Sequence, residues 1–124
     1  MDRTFVILAS IIMFFGVAAG AFGAHALANH FRNFPELEST FNTAVRYQLI
    51  HGLAIFAAAW AVTRWSNSFT QLAGFLFVAG IALFSGSLYL LVLTGSRWLG
   101  AITPFGGVAF LVGWLALLIG AWRN

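Results

Sequence analysis

The chain has 124 residues, of which 61% are hydrophobic and 7% charged, with a mean hydropathy of +0.93. A domain this short has a large surface for its volume, and six basic plus three acidic side chains cannot keep that surface wetted, so a water-soluble globule is excluded. The six basic residues are all Arg and are scattered, which excludes a nucleic-acid surface; the absence of Cys excludes disulfides, thiolate metal sites and a cysteine nucleophile.

Four windows are nearly free of charge: 4–28, 47–63, 65–96 and 98–122. A span needs about 20 apolar residues, and backbone amides in hydrocarbon must be paired within the segment, so each window predicts a helix. The expected spans are 4–28, 43–64, 69–94 and 104–122, giving an all-α, four-helix transmembrane bundle formed by one domain.

The first span carries Arg3, an apolar run and Ala24-His25-Ala26, which also reads as a secretory leader with a small-x-small cleavage site. The apolar run is longer than the roughly 7–15 residues of such a leader, so the segment is taken as a membrane helix, with Asn29 closing it. Next, Pro35, Glu36 and Glu38 make a helix start with carboxylates at its positive end. Leu37, Phe41, Ala44 and Val45 then form an apolar face, with Glu38, Asn42 and Arg46 opposite. That pattern predicts a short interfacial helix leading by an elbow into the second span, with one long tilted helix as the alternative.

The third span follows the polar turn Ser66–Asn67–Ser68 and ends at Gly95, suited to a left-handed cap. Thr103 and Pro104 read as N-cap and first residue of the fourth helix. Tyr47, Trp65, Trp98 and Trp122 sit beside Arg residues at the predicted ends, where aromatic belts form. An even number of spans puts both termini on one side with Arg3, Arg64 and Arg123. The other side carries Arg32 and Arg97 with Arg46 at its edge, so the positive-inside bias favours cytoplasmic termini by a narrow margin.

Lipid gives helices little hydrophobic reason to associate, so close approach at small residues must supply the contact. Gly106, Ala109, Gly113, Ala116 and Gly120 form a heptad-like seam on the fourth helix. Gly16 and Gly20 lie on the first helix, where Ala9, Gly16 and Gly23 repeat at seven; Ala73, Gly80 and Ser87 do so on the third. These are read as packing positions rather than a pore lining, and the fourteen Phe as core and lipid-facing filler.

Chain direction alternates, so the end of helix 1, the start of helix 2, the end of helix 3 and the start of helix 4 share a leaflet. That half holds nearly all the intramembrane polar residues: His25; Thr43, Tyr47, Gln48 and His51; Ser85, Ser87, Tyr89 and Thr94; and Thr103. Thr43, Tyr47 and His51 step by four, Gln48 lies beside them, and Ser85 and Tyr89 make a matching stripe. Arg46 is rotated about 140° from His51 and belongs at the edge.

Two kinds of role fit this cluster. Hydrogen bonds between helices, worth about 0.6–2 kcal/mol each, make it structural, and this reading is preferred. Alternatively His25, Tyr47, Gln48, His51, Ser85 and Tyr89 line a site for a small molecule, lipid or ion. Bis-histidine haem ligation by His25 and His51 has no second motif behind it. A Ser85 or Ser87 nucleophile lacks an orienting acid inside the membrane, and His25, His30 and His51 lack a metal-ligand spacing. No enzyme activity, cofactor or metal is expected.

Four ordered blocks carry a family resemblance: Gly20-Ala21-Phe22-Gly23-Ala24-His25-Ala26-Leu27; Phe41-Asn42-Thr43-Ala44 with Tyr47-Gln48 and His51; Leu83-Phe84-Ser85-Gly86-Ser87-Leu88-Tyr89; and Gly100-Ala101-Ile102-Thr103-Pro104-Phe105-Gly106-Gly107 followed by Gly113-Trp114. Over nearly its whole length the chain resembles the YgdD-like family, domain of unknown function 423. The resemblance implies a small four-span protein of the bacterial inner membrane and carries no catalytic residues. The expected partners are the lipid bilayer and either further copies of the chain or a larger membrane complex. The expected function is a structural or accessory role.

Overall fold

The computed structural model describes residues 1–123. Helix α1 (Asp2–Ala18) is prolonged by a π-helical turn, Ala19–Gly23, and a last α-helical turn, Ala24–Ala26. A short helix α2 (Ala28–Asn33) precedes α3 (Glu36–Arg64), α4 (Ser68–Thr94) and α5 (Thr103–Trp122), with a 3₁₀ turn at Arg97–Ala101. Among the described residues, four helical segments are long and apolar enough to cross a membrane: Asp2–Ala26, Glu36–Arg64, Ser68–Thr94 and Arg97–Trp122.

The second span differs from the expected elbow. Glu36–Arg64 is one unbroken helix because its buried stripe never changes phase: Leu37, Phe41, Ala44 and Val45 run on into Gln48, Gly52 and Ile55. Glu38, Asn42 and Arg46 are exposed on the other side. A short separate helix does precede this span, but it is α2, upstream of the residues 36–46 in which it was expected. The chain leaves α1 at Leu27 (φ −101°, ψ 10°), not at Asn29, which lies inside α2. Gly95 adopts the left-handed cap (φ 73°) and its N–H bonds Leu91. At α5 the N-cap is Ile102, not Thr103, and Pro104 stands in the first turn.

Helices α3 and α4 form the central pair. Packing joins α1 chiefly to α3 and α5 chiefly to α4, while α1 and α5 barely meet. Accordingly α3 is the most buried span and α1 and α5 are the least. Aromatic rings fill the space that glycines leave. A Cβ on Gly113 would come within 2.8 Å of the Phe77 ring, and one on Gly23 within 2.5 Å of Phe41. Phe5 faces Gly74 and Phe110 faces Gly80 in the same way. The outward faces of α1 and α5 are apolar, as spans bathed in acyl chains require (Phe14, Phe22, Phe105, Leu111 and Leu118 are all exposed).

The turn between α3 and α4 is also built from polar side chains. Asn67 caps α4, accepting from the N–H groups of Phe69 and Thr70, while Thr70 Oγ1 faces the Asn67 N–H. The same Asn67 donates from Nδ2 to the Gly120 carbonyl of α5 at 3.0 Å. The leaflet of the chain termini therefore has its own small polar knot.

Candidate functional site

The other leaflet holds the larger polar cluster, and α3 is its spine. Gln48 and His51 project from the buried side of α3, and Ser85, Ser87 and Tyr89 from α4. Gln48 bridges three helices: its Nε2 donates to the Ile12 carbonyl of α1 at 2.9 Å, and its Oε1 accepts from the Tyr89 hydroxyl at 2.6 Å. Ser85 donates to the Ala44 carbonyl at 2.7 Å across the α3–α4 contact.

The protonation of His51 follows from its partners. The Trp114 indole N–H, which can only donate, lies 3.1 Å from His51 Nε2, so that nitrogen must be bare. The proton sits on Nδ1, which donates to the Tyr47 carbonyl at 3.0 Å. The imidazole stacks on Phe110 with ring centroids 3.6 Å apart. Ser87 donates its single proton to the Phe84 carbonyl, so Thr103 is the donor in the 2.6 Å Ser87–Thr103 hydroxyl contact.

Tyr47, Gln48, His51, Ser85 and Tyr89 thus stand in one half-bundle. Tyr47 contributes its carbonyl and its ring, which lies 4.4 Å from that of Phe84. His25 stands apart: it is exposed near the end of α1, and its imidazole makes no hydrogen bond among the described residues. Arg46 is exposed, outside the cluster. Of the packing glycines, a Cβ on Gly16 would meet Leu49 at 2.8 Å, one on Gly20 would meet Val45 at 3.2 Å, and one on Gly120 would meet Thr70 at 2.7 Å. Gly106 lies against the Phe84 backbone and Gly113 against Phe77.

Two residues outside the predicted set matter here. Trp114 is one, and its signal was available: an indole N–H in mid-span needs a partner. His30 is the other; its Nε2 donates to the Val92 carbonyl at 2.7 Å, one of the carbonyls left without a helical partner at the end of α4.

The chemistry open to the cluster is limited by this pairing. Both His51 nitrogens are engaged and His25 is turned away, so the geometry does not present two axial ligands. Neither Ser85 nor Ser87 bonds an imidazole, and no group of three His, Asp or Glu able to hold a metal occurs among the described residues. A groove of about 490 Å³ runs past His51 between α3 and α5, with Tyr47, Phe84 and Gly107 on its walls. Its exposed polar atoms are few, since the His51 nitrogens point into the protein's own bonds.

These features define a small four-span integral membrane protein with its larger buried polar cluster in one leaflet and a smaller polar knot in the other. The family described as "Protein of unknown function (DUF423)" matches residues 19–107, and the chain belongs to that family. It is 41% identical to the UPF0382 membrane protein SSP2132 of Staphylococcus saprophyticus, covering 98% of both chains. It is 40% identical to the UPF0382 membrane protein YwdK of Bacillus subtilis over 96% of both. It is 41% identical to the UPF0382 inner membrane protein YgdD of Escherichia coli over 98% of this chain and 92% of that one. No solved structure matches the chain.

Proposed function

We propose that this protein is a non-enzymatic structural or accessory component of an inner-membrane assembly, acting as further copies of itself or docked to a larger complex. One observation carries this reading. Among the described residues every buried side-chain nitrogen and oxygen has a hydrogen-bond partner within the chain. A binding or catalytic site keeps polar groups free for its ligand, whereas groups used to cross-link helices are consumed by one another. The inner-membrane placement draws on the name of the Escherichia coli relative. Cytoplasmic termini draw on Arg3, Arg64 and Arg123 on the terminal side, against Arg32, Arg97 and the border residue Arg46.

The test is purification from the native membrane in a mild detergent, with the mass of the intact particle measured. A fixed stoichiometry, of copies or of one defined partner, is the expected result, and it survives His51→Ala. A monomer carrying a small polar molecule or ion that His51→Ala releases would replace this reading with a binding site.

A further inference from the structure

Helices α1 and α4 meet near the terminal face, where the Phe5 ring seats on Gly74 and meets Phe75 edge-on at 5.2 Å. Towards the other face they diverge. Ala19 and Gly23 of the prolonged α1, and Leu27 just after it, look across a groove of about 320 Å³ at Tyr89 and Val92 of α4, with Gln48 of α3 on its floor. The groove includes no residue of α5 and does not reach His51; it touches the cluster described above only at Gln48 and Tyr89.

The backbone of α1 helps shape this opening. The π-helical turn Ala19–Gly23 falls along the groove, and the residues it turns inward there are Ala and Gly. A π turn within an α-helix is rare and is found frequently at functional sites. The interfacial end is closed by α2, whose Phe31 packs with Phe41 and Val92 and whose His30 is bonded to Val92. The side facing the bilayer is open, and its rim residues Phe15 and Leu93 are 60% and 61% exposed.

What fills the groove is decided by its walls and its depth. Its polar floor atoms, the Gln48 amide and the Tyr89 hydroxyl, are already bonded to each other and to α1, so a polar guest finds no partner. Water at hydrocarbon depth would need two or more polar partners, and an empty groove forfeits the dispersion contacts of its lining. The molecule that reaches an apolar groove open sideways between two spans is the lipid around it. We infer that the α1–α4 groove holds one acyl chain of a bilayer phospholipid, which supplies the packing missing between the two helices. Because α1 is otherwise held chiefly by α3, the chain acts as a wedge that fixes the second half of α1.

The test uses the full-length protein in bilayers of phosphatidylethanolamine and phosphatidylglycerol, extracted in mild detergent and weighed by native mass spectrometry. The wild type is expected to retain one phospholipid under activation that strips the annular lipids, and delipidation is expected to lower its Tm. Ala19→Phe, which puts a ring into the groove, is expected to lose that phospholipid and to keep its Tm on delipidation. Leu93→Phe, at an exposed rim position, is expected to weaken retention without altering the fold, which guards against misfolding of the first variant. A wild type that retains no lipid, or equal retention in all three proteins, would overturn the inference. So would a dimer that Ala19→Phe dissociates, since a second copy would then occupy the groove.

Discussion

Gly106→Ala is expected to destabilise the protein by about 1–3 kcal/mol, while the same change one residue on, Gly107→Ala, is expected to stabilise it by up to about 1 kcal/mol. The neighbours differ in what a methyl group would meet. On Gly106 it would lie 2.7 Å from Phe84 Cβ and 2.8 Å from Phe84 Cα, and still nearer the Phe84 backbone nitrogen; on Gly107 it meets nothing within 4 Å. Backbone cannot swing aside as a side chain does, so α5 must move away from α4. That displacement also disturbs the Ser87–Thr103 and Trp114–His51 bonds, both of which cross the same interface. At position 107 only the higher helix propensity of Ala remains. Reversible unfolding by SDS titration, or the Tm in detergent, separates the two variants; equal effects would mean that α4 and α5 do not approach at Gly106.

The second large effect is expected at Gln48. Replacing it by Met keeps the volume but removes the bond to Ile12 and leaves the Tyr89 hydroxyl without its acceptor. The expected cost is about 2 kcal/mol, against about 1 kcal/mol for Tyr89→Phe, which removes only one of the bonds. The two losses share one contact, so the double variant should cost less than the sum, with a coupling of about 1 kcal/mol in a double-mutant cycle. Additive effects would show that Tyr89 and Gln48 are not bonded in the membrane.

The span count was legible because charge is so rare that Arg3, Arg32, Arg64, Arg97 and Arg123 mark the connections almost by themselves. The stripe Ser85-Tyr89 does meet α3, but at Ala44 and Gln48, one position round from the expected Thr43-Tyr47-His51 stripe: Thr43 bonds the Ser39 carbonyl of its own helix and His51 accepts from Trp114 of α5. The continuity of α3 was hidden, since Glu38, Asn42 and Arg46 give residues 36–46 the amphipathic look of a separate surface helix. In the fold those side chains occupy the one side that neither α1 nor α4 covers. The place of His25 was hidden for another reason. Depth alone puts it in the polar half, and depth does not fix a face: Gly16, Gly20 and Gly23 turn towards α3 while His25 is left exposed. His30, in a segment without apolar periodicity, gave no sign that it would bond Val92. Trp114 lies mid-span, away from the helix ends where aromatic belts form, so only its indole N–H marks it as needing a partner.

The most direct measurement is the ¹⁵N spectrum of His51 in lipid bilayers, recorded with transfer from water protons. A neutral ring protonated at Nδ1, an acceptor at Nε2 and no transfer from water are expected, because the ring's two nitrogens face the Tyr47 carbonyl and the Trp114 indole. A proton on Nε2, or a water contact at either nitrogen, would contradict a closed structural cluster and would point instead to an open site at the centre of the bundle.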